Sequence, residues 1–159
     1  MARVLVTGMS GTGKSTVLEE LRRRGLRTVD TDDDGWVLPR GGWDARRMDA
    51  LLARHPEVVV SGTVENQGDF YDRFAHVVLL SVPTTVIVDR VRRRTTNLYG
   101  QTPEQLAEIL RYVETVEPLL RAGATLELDG RRPIAELADV LEGLARGPQR
   151  VGSRSQGEG

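Results

Sequence analysis

The chain has no cysteine and a single lysine. Without thiols, neither a disulfide framework nor a thiolate metal site can form, which is the pattern expected of a cytoplasmic enzyme. Aromatic residues are sparse, at 4%. No apolar stretch approaches the ~20 residues of a membrane span. Met1-Ala2-Arg3 leads straight into an apolar run, so no signal peptide is expected. A net charge of −1 provides no broad basic field for nucleic acid. The 159 residues suffice for one domain with one continuous core. The partner expected from these features is a small molecule, with the protein acting as a monomer or homodimer.

The one lysine, Lys14, stands against twenty-one arginines. It sits in Gly8-Met9-Ser10-Gly11-Thr12-Gly13-Lys14-Ser15, which is G-x-x-x-x-G-K-S. An ammonium is a compact charge with three donors, and it fits between phosphate oxygens where a planar guanidinium is too wide. Before the run, Val4-Leu5-Val6 reads as a buried strand. After it, Val17, Leu18 and Leu21 recur at helical spacing, and Gly25 supplies a stop. Strand, glycine loop and helix form the context that the phosphate-binding loop requires. Its backbone N–H groups and the helix N-terminus attract anions. Lys14 is expected to reach the β- and γ-phosphates, and the Ser15 hydroxyl to ligate Mg²⁺.

Further short apolar runs, at 27–31, 57–61, 76–82 and 124–128, alternate with helical patterns at 44–54, 84–94, 103–122 and 133–146. This alternation predicts a parallel sheet covered on both faces, a three-layer α/β domain over residues 1–146. From Gly147 the composition turns to Gly, Ser, Arg, Gln and Glu with Val151 alone apolar, so 147–159 is expected to be a disordered tail.

The second informative segment is Asp30-Thr31-Asp32-Asp33-Asp34-Gly35, at the carboxyl end of the second strand. Ligands of an open parallel sheet bind at that edge. Clustered carboxylates repel one another unless a cation or a hydroxyl-bearing ligand shares them; a solvated acidic turn is the other reading. In extended backbone Asp30 and Asp32 would point the same way. Trp36 and Trp43 flank Pro39-Arg40-Gly41-Gly42, where an aromatic could stack on a ligand or close a small lobe. Arg46 and Arg47 open the next helix and could meet an acidic ligand. Asn66 and Asn97 are expected to cap turns, and His55 and His76 to be structural.

The glycine loop, the Asp-x-Asp, a third strand ending in Ser61-Gly62-Thr63 and the compact size together resemble the small P-loop metabolite kinases: shikimate kinase, gluconate kinase and, more distantly, the nucleoside monophosphate kinases. The resemblance covers about Ala2 to Arg146. It implies a P-loop NTPase fold with a five-stranded parallel sheet in the order 2-3-1-4-5, and ATP and Mg²⁺ as cofactors. It also implies transfer of the γ-phosphoryl group to a small-molecule hydroxyl. Carried over by motif, Gly8, Met9, Ser10, Gly11, Thr12, Gly13, Lys14, Ser15 and Thr16 would cradle the nucleotide. Asp30 would join Ser15 at the metal, and Asp32 would face the acceptor hydroxyl. Asp129-Gly130-Arg131-Arg132-Pro133 resembles the loop over the adenine, so Arg131 and Pro133 are expected there with Arg90. The segment from Arg90 to Thr96 falls where such kinases carry a lid, with Arg92 and Arg94 expected at the transferred phosphoryl group; a solvated helix end is the other reading for these arginines. The chain departs from the shikimate kinases after the third strand, where Ser61-Gly62-Thr63-Val64-Glu65-Asn66-Gln67-Gly68 replaces a glycine triplet, so the acceptor pocket is rebuilt.

Two other classes share the loop. Asp32 to Gly35 fits the D-x-x-G of a GTPase switch, but Asn66-Gln67-Gly68-Asp69 lacks the lysine of N-K-x-D and falls too early. A regulatory ATPase would end an inner strand in an acidic residue, whereas Val58-Val59-Val60 ends in Ser61. A nucleoside monophosphate kinase remains the alternative within the kinase class, since an already anionic acceptor needs no base.

Overall fold

The computed structural model describes residues 1–95 and 98–147. Thr96, Asn97 and the tail at 148–159 lie outside the described residues. Five strands, β1 (Arg3–Thr7), β2 (Thr28–Asp30), β3 (Val58–Ser61), β4 (His76–Ser81) and β5 (Leu126–Asp129), form one parallel sheet in the order β2-β3-β1-β4-β5. This is the expected order, and it places the end of β1 in the middle of the ligand-binding edge.

The strands are apolar throughout because both faces are covered. Val4 and Val6 of β1, Val59 of β3, and Val78 and Leu80 of β4 face α1 (Lys14–Arg23) and α6 (Ile134–Arg146), packing on Val17, Leu21, Leu137 and Leu141. The alternate residues Leu5, Val58, Val60 and Val77 meet Met48 and Leu52 of α2 (Ala45–Arg54), while Leu79 meets Ile87 and Val91 of α3 (Thr84–Arg93). The expected helix over 103–122 is two helices, α4 (Pro103–Thr115) and α5 (Glu117–Gly123). Pro118 explains the break: it has no N–H to give the carbonyl four residues back, and its ring clashes there. Side-chain caps fix two helix starts. Asp44 accepts from Arg47 N before α2, and Thr102 accepts from Gln105 N before α4. A 3₁₀ helix at Gln67–Arg73, which the sequence pattern did not show, follows β3.

The glycine-rich stretch between the tryptophans is a small lobe closed by its own core. Trp43 is buried, its indole N–H donates to Thr31 Oγ1 at 2.9 Å, and its ring meets Phe70 edge-on at 5.7 Å. Trp36 is also buried and carries the Arg47 guanidinium 4.0 Å above its ring. Both indoles therefore serve packing, which decides between the two readings open from sequence. Asn66, expected to cap a turn, makes no cap bond at the start of the 3₁₀ helix and instead holds the backbone of Trp43, in the preceding lobe, at both N–H and C=O.

Gly62 is the point of closest approach, since a Cβ there would lie 2.1 Å from Thr31 Oγ1 and 3.3 Å from the Trp43 ring. Gly62→Ala is expected to lower stability by about 1–3 kcal/mol through overpacking. A urea titration checks this, and a midpoint equal to that of the unsubstituted chain would contradict it.

Candidate functional site

The loop between β1 and α1 is fixed by contacts on several sides. Gly8 has φ 155° and lies so close to β4 that a Cβ would be 2.4 Å from the Leu80 carbonyl oxygen. Its own carbonyl accepts from Lys14 Nζ at 2.6 Å and from Thr63 Oγ1 at 2.7 Å. Lys14 Nζ also donates to the Met9 carbonyl at 3.1 Å. An ammonium has three donors, and these carbonyls use two. Buried Thr12 donates to Met9 O at 2.9 Å, closing the loop on itself.

The two residues expected at the metal are hydrogen-bonded to each other. Ser15, in the first turn of α1, donates its hydroxyl to Asp30 Oδ2 at 2.7 Å. The other Asp30 oxygen accepts from the backbone N–H of Asp32 at 3.1 Å. That bond turns the chain after β2, so the shared direction expected of Asp30 and Asp32 in extended backbone is not realised. Asp30 stays with Ser15, and Asp32 lines the cleft beside Lys14. The carboxylate of Asp32 accepts no hydrogen bond among the described residues. Its pKa is raised, first by desolvation from the protein around the cleft mouth and then by the charges of Asp30 and Asp33, with Lys14 opposing. Part of this carboxylate is open to solvent.

The lysine is shifted more. Burial holds Lys14 well below its ordinary value, at about 8, against the pull of Asp32 and Asp30 and with a push from Arg94.

The cleft these residues line encloses about 790 Å³. Its walls include Gly8 to Gly11, Gly13 to Thr16, Asp32, Thr63, Arg90, Arg94, Tyr99, Ile109, Tyr112, Gly130 and Arg132 to Ile134. Thr12, expected in the nucleotide cradle, is buried behind the loop instead. Arg90 ties the loop after β1 to the loop after β5, donating to Gly11 O at 3.1 Å and Gly130 O at 2.9 Å. Arg94 spans loop and lid through Ser10 Oγ at 3.1 Å and the Tyr99 carbonyl, with its Nε buried and unpaired. Desolvation lowers its pKa.

Two expected residues lie elsewhere. Arg92 is exposed on α3 and does not line the cleft, because helical periodicity directs Arg90 and Arg94 inward and turns Arg92 away. Arg131 forms a two-pronged pair with Asp129 at 2.7–3.1 Å and lines a separate depression; its neighbours Arg132 and Pro133 face the cleft. Tyr112, Ile109 and Ile134 also line it and were not singled out from sequence. Their only signal was a place on helices, whose inward face the sequence did not mark near the lid.

Hard oxygen donors such as the Ser15 hydroxyl and the Asp30 carboxylate suit Mg²⁺, which takes its remaining ligands from phosphates and water. Among the described residues, no three or more His, Cys, Asp or Glu side chains are grouped to hold a metal by themselves. No helix among them is long and apolar enough to cross a membrane.

A family model described as AAA domain matches residues 4–111, which run from β1 through the loop, the acidic turn and the lid arginines into α4. The chain belongs to the AAA domain family. No curated protein matches its sequence. Among solved structures it resembles a shikimate kinase from Acinetobacter baumannii in complex with shikimate, with a TM-score of 0.66 at 19% identity over 89% of this chain and 90% of that one. A gluconokinase from Sinorhizobium meliloti 1021 gives 0.57 at 22% identity over 96% and 97%, and a sugar kinase from Janibacter sp. HTCC2649 gives 0.58 at 20% over 87% and 91%. At these identities the likeness establishes that this AAA-domain chain has the P-loop kinase fold.

A lysine whose folded pKa lies below its unfolded value opposes folding while it is charged. That cost is fully present below pH 8, fades between about 8 and the ordinary 10.5, and is gone above. Lys14→Met is therefore expected to raise the melting temperature at neutral pH, with the stability gain vanishing by high pH. Thermal melts across that range check this. A variant that melts lower at every pH would show that the two carbonyl hydrogen bonds of Lys14 outweigh the cost of burying its charge.

Proposed function

We propose that the protein is a Mg²⁺- and ATP-dependent kinase that transfers the γ-phosphoryl group to a hydroxyl of a small molecule. The reading is carried by the division of labour between the two carboxylates. Asp30 is engaged by Ser15 at 2.7 Å, whereas Asp32 lines the same cleft with its carboxylate uncommitted.

The roles follow from the chemistry of each group. The loop amides and the N-terminus of α1 bind the triphosphate, and Lys14 offers a point charge to its outer phosphates. Ser15 and Asp30 hold the metal, which when bound neutralises phosphate charge. Asp32 accepts a hydrogen bond from the acceptor hydroxyl, aligns its oxygen with the phosphorus, and takes its proton as the O–P bond forms and ADP leaves. A pKa raised above the usual carboxylate value suits that proton transfer. Arg94, already desolvated on Ser10, supplies a fork of donors for charge spread over the phosphoryl oxygens. Arg90, Arg132 and Pro133 frame the base.

This arrangement favours a kinase over an acceptor-free ATPase. β3 ends in Ser61, with no carboxylate at the position a hydrolytic ATPase uses, and the acidic group of the cleft stands at the acceptor side instead.

Asp32→Asn is expected to lower acceptor-dependent turnover by roughly ten- to ten-thousand-fold while leaving Mg²⁺-ATP binding nearly unchanged. Asp30→Asn should shift the Mg²⁺ dependence to higher concentration. Turnover measured against Mg²⁺ for both variants decides the matter: small, equal effects would reduce the acidic segment to a solvated turn.

A further inference from the structure

Charge is divided unevenly along this chain. Between Asp30 and Arg73 there are ten carboxylates and five arginines, a net −5, while the remaining residues sum to +4. That segment runs from the last residue of β2 through the acidic turn, α2 and β3 to the end of the 3₁₀ helix, and it supplies Asp32 and Thr63 to the cleft.

None of its five arginines lines the cleft. Arg47 donates to the Asp34 carbonyl and stacks on Trp36, a use of the planar guanidinium that occupies both its edge and its face. Arg73 pairs with Asp49 at 2.8 Å. Arg40, Arg46 and Arg54 are exposed outside the cleft. The cations that do line it lie toward the nucleotide: Arg90 and Arg132 by Gly130, Arg94 on Ser10, and Lys14 on the loop carbonyls.

An acidic acceptor held with its hydroxyl at Asp32 would bring another anion beside Asp30, Asp32 and Asp33. Recognition of a carboxylate or phosphate calls for a charge-assisted fork, and an unpaired anion in a confined site is costly. No described arginine at this end is placed to pair with it. Asp33 and Asp34, exposed on the same turn as Asp32 and outside the cleft lining, instead form a negative rim that attracts a cation toward Asp32. Resting on the kinase reading above, we infer that the acceptor is a hydroxyl compound that carries a protonated amine and neither carboxylate nor phosphate. The inference rests on where the arginines are engaged as much as on the carboxylates, and it sets this cleft apart from one built for a hydroxy acid or a nucleotide.

The test is acceptor-dependent ADP release from the full chain with Mg²⁺-ATP, using size-matched probes: glucosamine, glucose and gluconate, and serinol, glycerol and glycerate. The expected order of kcat/KM is amine, then neutral, then acid, with about tenfold or more between the ends, and the amine's advantage shrinking as salt rises from about 50 to about 500 mM. Lysine at both rim positions, Asp33→Lys with Asp34→Lys, is expected to reduce the amine preference at least several-fold. Fastest turnover with the acids, equal turnover with all three classes, or a preference indifferent to both salt and the rim variant would overturn the inference and leave the kinase reading standing. No ADP release from any class, with Mg²⁺-ATP still bound, would overturn the kinase reading and the inference with it.

Discussion

One carbonyl oxygen organises the site. Gly8 O takes the Lys14 ammonium on one side and the Thr63 hydroxyl on the other, at 2.6 and 2.7 Å. A carbonyl has two lone pairs, and both are used. Through this oxygen the end of β1, the start of α1 and the loop after β3 are held in one geometry. The close approach to Leu80 adds β4. The anion-binding loop is thereby shaped by contacts internal to the protein, and preorganised donors of this kind need little rearrangement when charge arrives.

Around that oxygen the sheet order does the rest. With β1 in the centre, β3 and β2 lie on one side and β4 and β5 on the other. The loops after β2 and β3 form one wall, and the end of α3, α4 and the loop after β5 form the other. Arg90 fastens the second wall to the loop by its two carbonyl bonds, at Gly11 and Gly130.

The fold was legible because its signals are local and repeated. Apolar runs bounded by turns mark buried strands, and G-x-x-x-x-G-K-S between a strand and a helix admits few structures. The strand order came with the family resemblance. What sequence could not fix was orientation within a short span. Arg90, Arg92 and Arg94 look alike in a list of residues, yet the helix end directs only the first and last inward. Arg131 and Arg132 are neighbours, and the Asp129 carboxylate two residues earlier engages Arg131, leaving Arg132 to face the cleft. The tryptophans illustrate a further limit. Their burial depends on Thr31, Phe70 and Arg47, partners distant in sequence that no periodicity reveals. The break at Val116 was missed for a simpler reason: apolar spacing continues across it, and Pro118 was outweighed by that pattern.

Next to Asp32 and Thr63, Trp43 donates to Thr31, Thr31 donates to the Ser61 carbonyl at 2.8 Å, and Gly62 passes where no side chain fits. This stack is an interlocked floor beneath the loops that carry Asp32 and Thr63 to the cleft, while the residues from Asp32 to Gly41 form an exposed rim around the single buried anchor of Trp36. A lineage altering its substrate would find the floor closed to gradual change, since each contact there depends on the next. The rim tolerates substitution because little is packed upon it. Divergence in this branch of the fold would accordingly be written in rim charges and loop length, with the indole, the threonine and the glycine inherited together as one unit.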